Sequence, residues 1–227
     1  MNIAIITARG GSKRIPRKNI KDFCGKPILA YSIEAAINSG LFDEVMVSTD
    51  SGEIADVARG YGASVPFMRS AEAANDFATT ADVIREVVEE YEKRGKIFEY
   101  FCCIYPTAPF VTAHKLKQAY VTMEEKKSDA IISVVKYDFP PQRAFIIRDD
   151  KVVYQYPENM NTRSQDLEPI YHDCGQFSFC KTEAFMKRNT IIVDNCIPFV
   201  MPAEEVQDID NESDWVLAEM KYARMTD

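Results

Sequence analysis

Hydrophobic and polar positions along this chain follow two alternating periods. Short apolar runs at 3–8, Val45–Ser48, Ser64–Phe67, Phe98–Tyr105 and Asp129–Lys136 have the length and composition of buried strands. Between them, apolar residues recur at helical spacing over Pro27–Ser39, 52–61, 80–94 and from Thr112 to residue 126. In 80–94, Val83, Val87, Val88 and Tyr91 share one face. The punctuation agrees: Pro27 opens and Gly40 closes the first helix, Gly62 closes the second, and Thr112 caps the fourth. Strand–helix alternation predicts an α/β fold, a three-layer α/β/α sandwich around a mainly parallel sheet. Such sheets bind ligands outside the carboxyl ends of their strands. Residues 9–19, Thr49-Asp50 and Tyr105-Pro106-Thr107 all fall there.

From Asp138 to Cys174 the rhythm breaks. Prolines at 140, 141, 157 and 169 interrupt it, and the runs Ala144–Arg148 and Lys151–Tyr156 around Asp149-Asp150 predict a hairpin. Connections this long usually have a function, and the aromatic content suits an arm that packs on a second subunit. The expected organisation is one α/β domain over 1–137 and 175–227, carrying 138–174 as a β-rich dimerisation arm. The sheet is expected to resume near Gln176–Cys180. A last helix, Glu212–Ala223, follows Asn211 as N-cap with Asp214 three residues on.

Composition limits the function. In 227 residues, 46% hydrophobic and 27% charged, the chain has the make-up of an ordinary soluble domain. No apolar stretch reaches the roughly 18–20 residues that cross a bilayer, so no membrane partner is expected. The N-terminus lacks the pattern of a secretory signal, and a formal net charge of -8 disfavours nucleic acid. The six cysteines form no C-x-x-C pair and only two histidines accompany them, which predicts reduced thiols in a cytoplasmic protein and no zinc site.

Against that acidic background the loop after the first strand stands out. Arg9, Lys13, Arg14, Arg17 and Lys18 place five cations within ten residues, beside Gly10 and Gly11. The glycines allow tight turning and unusual dihedrals, so that backbone N–H groups can converge on an anion. The segment matches neither G-x-x-x-x-G-K-[ST] nor G-x-G-x-x-G, and a solvated surface loop remains the alternative. If the loop binds, a nucleoside triphosphate fits it best. Near the other end, Asp208 and Asp210 are two apart, so an extended segment points both carboxylates to one side. They read either as helix-capping residues or as hard-oxygen ligands for Mg²⁺ against phosphate oxygens.

The full strings are more specific. A-R-G-G-S-K-R-I-P-R-K-N resembles the N-terminal signature of the CMP-sialic acid synthetase family, cytidylyltransferases that activate nonulosonic acids. Residues 69–80, R-S-A-E-A-A-N-D-F-A-T-T, resemble that family's R-P-x-x-L-A-x-D-x-x-x-S stretch. Tyr105-Pro106-Thr107-Ala108-Pro109 stands where its sialic-acid members carry Q-P-T-S-P. Residues 161–177, N-T-R-S-Q-D-L-x-P-x-Y-H-D-x-G-Q-F, are similar to the branch that activates pseudaminic acid, a 5,7-diamino-3,5,7,9-tetradeoxy nonulosonic acid; Ser178 replaces the tyrosine usual after them.

The resemblance implies a nucleotide-diphospho-sugar transferase-like fold and a homodimer. It implies that CTP and a nonulosonic acid, pseudaminic acid first among several, give the CMP-sugar and pyrophosphate by in-line attack of the C2 hydroxyl on the α-phosphorus. Ala8, Arg9, Gly10, Gly11, Ser12 and Lys13 would then bind CTP, together with Asn19, Arg69 and Thr80. Lys18 would act in catalysis with Asp208 and Asp210, the pair that would hold Mg²⁺. Tyr105, Arg163, Gln165, Tyr171, Gln176 and Phe177 would meet the sugar, Arg163 through the fork that suits a carboxylate. No residue is singled out as general base. His172-Asp173 is not read as a catalytic dyad, because neighbours in a strand face opposite ways.

Overall fold

The computed structural model describes residues 1–226. The first half contains β1 (Asn2–Thr7), β2 (Asp22–Phe23), β3 (Lys26–Pro27), α1 (Ile28–Ser39), β4 (Glu44–Ser48), α2 (Gly52–Gly60), α3 (Ala71–Ala74), α4 (Thr80–Lys93) and β5 (Tyr100–Ile104). The second contains α5 (Ala113–Glu125), β6 (Ala130–Lys136), β7 (Phe145–Arg148), β8 (Lys151–Tyr154), β9 (Tyr171–Lys181), α6 (Thr182–Arg188), β10 (Cys196–Val200) and α7 (Glu212–Thr226). Six strands form one sheet in the order β10-β6-β9-β5-β1-β4. β1 runs parallel to β4 and β5, and β6 to β10, while β9 is antiparallel to both its neighbours.

Period-2 alternation divides the sheet's side chains between two cores. Ala4, Ile6, Cys102, Ile104, Phe177 and Phe179 pack with α1, α2 and α5 on one face. Ile3, Ile5, Phe101, Cys103 and Cys180 pack with α4 and α6 on the other. Those are the three layers expected. α1 ends at Gly40, whose φ of 63° is a left-handed cap that suits glycine. The hairpin β7–β8 turns on Asp149 and Asp150 at φ 48° and 57°, a conformation that Asp tolerates better than most residues. It forms a separate two-stranded sheet.

Besides the short β2, β3 and α3, which the sequence reading does not include, three details differ from it. Ser64–Phe67 is not a strand: only Ser64 bridges β4, at Met46, and Pro66 has no N–H to extend a ladder. β9 begins at Tyr171, and its first residues pair with Val134–Lys136 across a register shift between Ile132 and Val134. Because β9 is antiparallel, its beginning overhangs the carboxyl ends of the parallel strands. Finally, α6 and β10 were not foreseen. The first is seven residues long, and the second is an edge strand containing Pro198, so neither carries a strong period. All six cysteines are free thiols, four of them buried. Among the described residues no helix is long and apolar enough to cross a membrane.

Candidate active site

The loop after β1 lies over the carboxyl edge of the sheet. Ala8 donates its N–H to Ser48 O at 3.0 Å and the whole residue is buried, so it supports the loop and does not line the cleft. Neither Gly10 nor Gly11 adopts a positive φ, contrary to the expectation of unusual dihedrals. Gly10 is needed for space instead: a Cβ there would lie 3.0 Å from Ser51 Cβ, whereas one on Gly11 would meet nothing within 4 Å. The Gly10 N–H donates to Asp50 Oδ1 at 2.7 Å, so this amide is already engaged. Lys18 and Asn19 lie on a short 3-10 turn, Lys18–Ile20, where buried Asn19 donates from Nδ2 to Arg9 O at 2.8 Å and braces the loop from within.

The segment before α7 forms the facing wall. Ile209 is fully buried beside Ile15, Phe23 and Trp215, which turns Asp208 and Asp210, one residue to either side, toward the cleft. Lys18 Nζ donates to Ile209 O at 2.6 Å across 191 positions of sequence. It stands 3.9 Å from Asp210 Oδ1, which also accepts from Arg14 Nη2 at 2.8 Å. Burial pushes the Lys18 ammonium below its ordinary pKa, opposed by Asp210 and Asp208. Burial, then the like charge of Asp210, pushes the Asp208 carboxyl up, opposed by Lys18. The capping reading of this acidic run belongs to its neighbours. Asn211 Oδ1 accepts from the N–H of Ser213 and Asp214 at 3.0 and 3.1 Å, and Asp214 answers the Asn211 N–H at 3.0 Å.

The third wall comes from residues 69–80 and the end of β5. Arg69 is buried yet has no carboxylate ion pair among the described residues; Nε and Nη2 donate to Ser48 Oγ and Ser48 O at 3.0 and 2.7 Å. Burial lowers its pKa, opposed by the charges of Asp50 and Glu86. A buried cation so placed is stabilised by an incoming anion. Thr79 caps α4 in a reciprocal box with Asp82, which places Thr80 at the cleft. Tyr105 closes the floor; its N–H donates to Gln176 O at 3.0 Å, and burial pushes its phenol well above the ordinary range. Arg9, Ser12, Lys13, Lys18, Asn19, Arg69, Thr80, Tyr105, Asp208 and Asp210 thus line one cleft of about 540 Å³.

The family model for cytidylyltransferases matches residues 3–220. The chain belongs to the cytidylyltransferase family. Pseudaminic acid cytidylyltransferase of Campylobacter jejuni is 42% identical over 222 residues, spanning 97% of this chain and 96% of its own length. CMP-N,N'-diacetyllegionaminic acid synthase of Legionella pneumophila is 34% identical over 227 residues, spanning 96% and 94%. The solved structure of CMP:2-keto-3-deoxy-manno-octonic acid synthetase complexed with CTP aligns over 99% of both chains with a TM-score of 0.69 at 15% identity, which establishes a shared fold.

In this cytidylyltransferase the residues expected at the sugar fare differently from those expected at the nucleotide. Only Tyr105 lines the cleft. Arg163 and Gln165 lie on the arm; Arg163 is exposed and pairs with Asp166 at 2.7 Å, away from the cleft. Tyr171 is exposed at the start of β9. Phe177 points into the core against Phe179 and Phe199, so its ring cannot touch a ligand. Gln176 is fully buried; Nε2 donates to Cys174 O at 3.2 Å while Oε1 has no partner. Asp76 is a cleft residue that the sequence analysis does not single out. Its carboxylate accepts from Arg9 Nη1 at 3.0 Å and Lys13 Nζ at 2.6 Å inside the cleft.

Proposed function

We propose that this enzyme transfers the cytidylyl group of CTP to pseudaminic acid and releases pyrophosphate. The observation that carries the nucleotide half is the meeting of the cationic loop with Asp208 and Asp210 in one cleft, although Lys18 and Ile209 are 191 positions apart. The acid is supported by relatives at 41 and 42% identity that bear this activity in their names. The string Asn161–Phe177 points the same way.

In the reaction a bond forms between the C2 oxygen of the acid and the α-phosphorus, while the bridge to the β-phosphate breaks. The hydroxyl proton passes to solvent and pyrophosphate leaves with the bridging electron pair. Ser12, Lys13, Arg9 and Lys18 would hold phosphate oxygens, and Arg69 would add a cation fixed by its bonds to Ser48. The chain forms no covalent bond to substrate, so its contribution is positioning and charge neutralisation. Asp208 and Asp210 suit Mg²⁺, which is commonly held by one or two carboxylates and completed by substrate phosphates. Their like charges, with the Asp208 carboxyl pushed up by desolvation and by Asp210, are the kind of pair a hard cation relieves. Bound there, the ion would supply Lewis-acid stabilisation of phosphoryl oxygens.

The arm completes the reading. Phe139, Ile147 and Val152 expose apolar side chains on it, and a second copy of the chain docking there would make a dimer. That is also an arrangement in which Arg163 and Gln165 could reach a cleft they do not reach in their own subunit. The free thiols and the use of CTP fit a cytoplasmic enzyme. The test is pyrophosphate release with CTP, Mg²⁺ and a panel of acids: pseudaminic, legionaminic, N-acetylneuraminic and 3-deoxy-manno-octulosonic. Turnover with pseudaminic acid far above the others is expected. Preference for another acid would overturn the substrate, and silence with all four the activity.

A further inference from the structure

Every cation of the loop already has an internal anionic partner. Arg17 pairs with Glu53, Arg14 and Lys18 face Asp210, and Arg9 and Lys13 share Asp76. Like the Arg14–Asp210 pair, the last contact joins two sides of the cleft. Its two cations come from the loop after β1, and Asp76 from the loop between α3 and α4, so the pair reaches across the nucleotide cleft. One carboxylate oxygen meets each cation, Oδ1 with Arg9 and Oδ2 with Lys13, much as two oxygens of one phosphate could. The Asp76 loop is built to hold that position. Asn75 Oδ1 accepts from the N–H of Phe77 and Ala78 at 2.7 and 2.9 Å, and the Thr79–Asp82 box fixes the far end. The Lys13 and Arg9 bonds hold the Asp76 carboxyl below its ordinary pKa, so it is anionic at neutral pH.

We propose that Asp76 is a positioning residue that stands in for the polyphosphate, occupying Arg9 and Lys13 in the empty enzyme and competing with CTP and pyrophosphate for them. The idea rests on the assignment of this cleft to CTP. Phosphate oxygens entering beside Lys13 and Arg9 must take over both bonds, and the released carboxylate then repels them. When pyrophosphate has formed, return of Asp76 to the two cations helps expel it. The carboxylate thus weakens substrate and leaving product together, which favours turnover over tight holding of product. A structural brace would act in the opposite sense: if Asp76 merely held Arg9 and Lys13 in place, its loss would weaken polyphosphate binding.

The sign of the effect therefore decides the question. Titration calorimetry with CTP and with inorganic pyrophosphate, both in Mg²⁺ buffer, would be run on wild type, Asp76→Asn and Asp76→Glu. Asp76→Asn keeps the shape and removes the charge. It is expected to tighten both ligands by about three- to tenfold at low salt, with the gain shrinking as salt screens the pair. In steady state, KM for CTP and the pyrophosphate inhibition constant should fall together, and Asp76→Glu should restore wild-type binding. Weaker or unchanged binding in a folded Asp76→Asn protein overturns the proposal while CTP binding by wild type stands. Absence of CTP binding by wild type overturns both this and the assignment of the cleft.

Discussion

Gly10 and Gly11 are adjacent and chemically identical, yet the structure predicts opposite consequences for adding one methyl group. On Gly10 the new carbon lies 3.0 Å from Ser51 Cβ and 3.6 Å from Asp50 Oδ1. Ser51 cannot easily yield, because it is the N-cap of α2 and its side chain accepts from Ile54 N. The loop must move instead, which strains the bond from Gly10 N to Asp50. Overpacking of this kind costs about 1–3 kcal/mol, or roughly 2–12 °C in Tm for a chain of this size. On Gly11 the methyl meets nothing and the backbone is not in the left-handed region. Alanine there restricts the unfolded chain and should leave Tm unchanged or raise it slightly, the gain in stability being at most about 1 kcal/mol. If the loop carries the phosphate-binding side chains, as proposed, Gly10→Ala should also lower kcat/KM for CTP, by about tenfold or more if they shift by a large fraction of an ångström. Differential scanning fluorimetry and pyrophosphate release check the pair. Equal Tm values for the two variants would refute the claim that close approach to Ser51 fixes this loop.

The remaining predictions concern the cation and the two carboxylates. Lys18→Met keeps the stem but removes the bond to Ile209 O and the charge facing Asp210, and should reduce kcat by about 10²–10³. Lys126→Ala, on the exposed end of α5, should not change it. Asp210→Ala should abolish turnover while leaving the far-ultraviolet spectrum and cooperative melting intact, and normal rates would remove the carboxylate from the metal assignment. Asp208 has a folded pKa above its unfolded one, so its ionisation opposes folding. The penalty is absent below the unfolded value, about 3.9, and grows as pH rises toward the folded one. Asp208→Asn should therefore melt higher than wild type at neutral pH without Mg²⁺, match it near pH 3, and be inactive; melting curves at the two pH values test this. Chelation of divalent ions should stop pyrophosphate release, with recovery on adding Mg²⁺.

Most of the fold was legible because its helices and inner strands keep one period over their whole length. The elements that escaped were short or one-sided. α6 has seven residues, and β10 is a half-buried edge strand interrupted by Pro198. At the site, charge was legible and pairing was not. The loop's cations are plain in the sequence, but partners such as Asp76 and Glu53, and Asp50 at the Gly10 amide, look like turn and helix-start residues until folding brings them together. Phe177 shows the converse error. Its motif suggested a ligand contact, while strand alternation turns its ring into the core beside Phe179.

The joining of two distant segments into one cleft has a packing cause. Ile15, five residues past Gly10, is fully buried in a small cluster with Phe23, Ile28, Tyr31, Phe110, Ile209, Trp215 and Ala218. Phe23 lies edge-on to both Tyr31 and Trp215, with ring centroids 5.6 and 5.5 Å apart. Those apolar contacts tie the end of the cationic loop and the start of α1 to the first turns of α7. Lys21 adds an ion pair to Glu212 at 2.7 Å and lies over the Trp215 ring at 4.5 Å. Because Ile209 is the apolar residue between two aspartates, burying it in this cluster also sets the direction of both carboxylates. Desolvation opposes the charge on Asp208, so the packing of Ile209 works against that cost. Hydrophobic packing on one side of a short extended segment therefore determines where the two carboxylates on its other side are presented, across the cleft from the cationic loop.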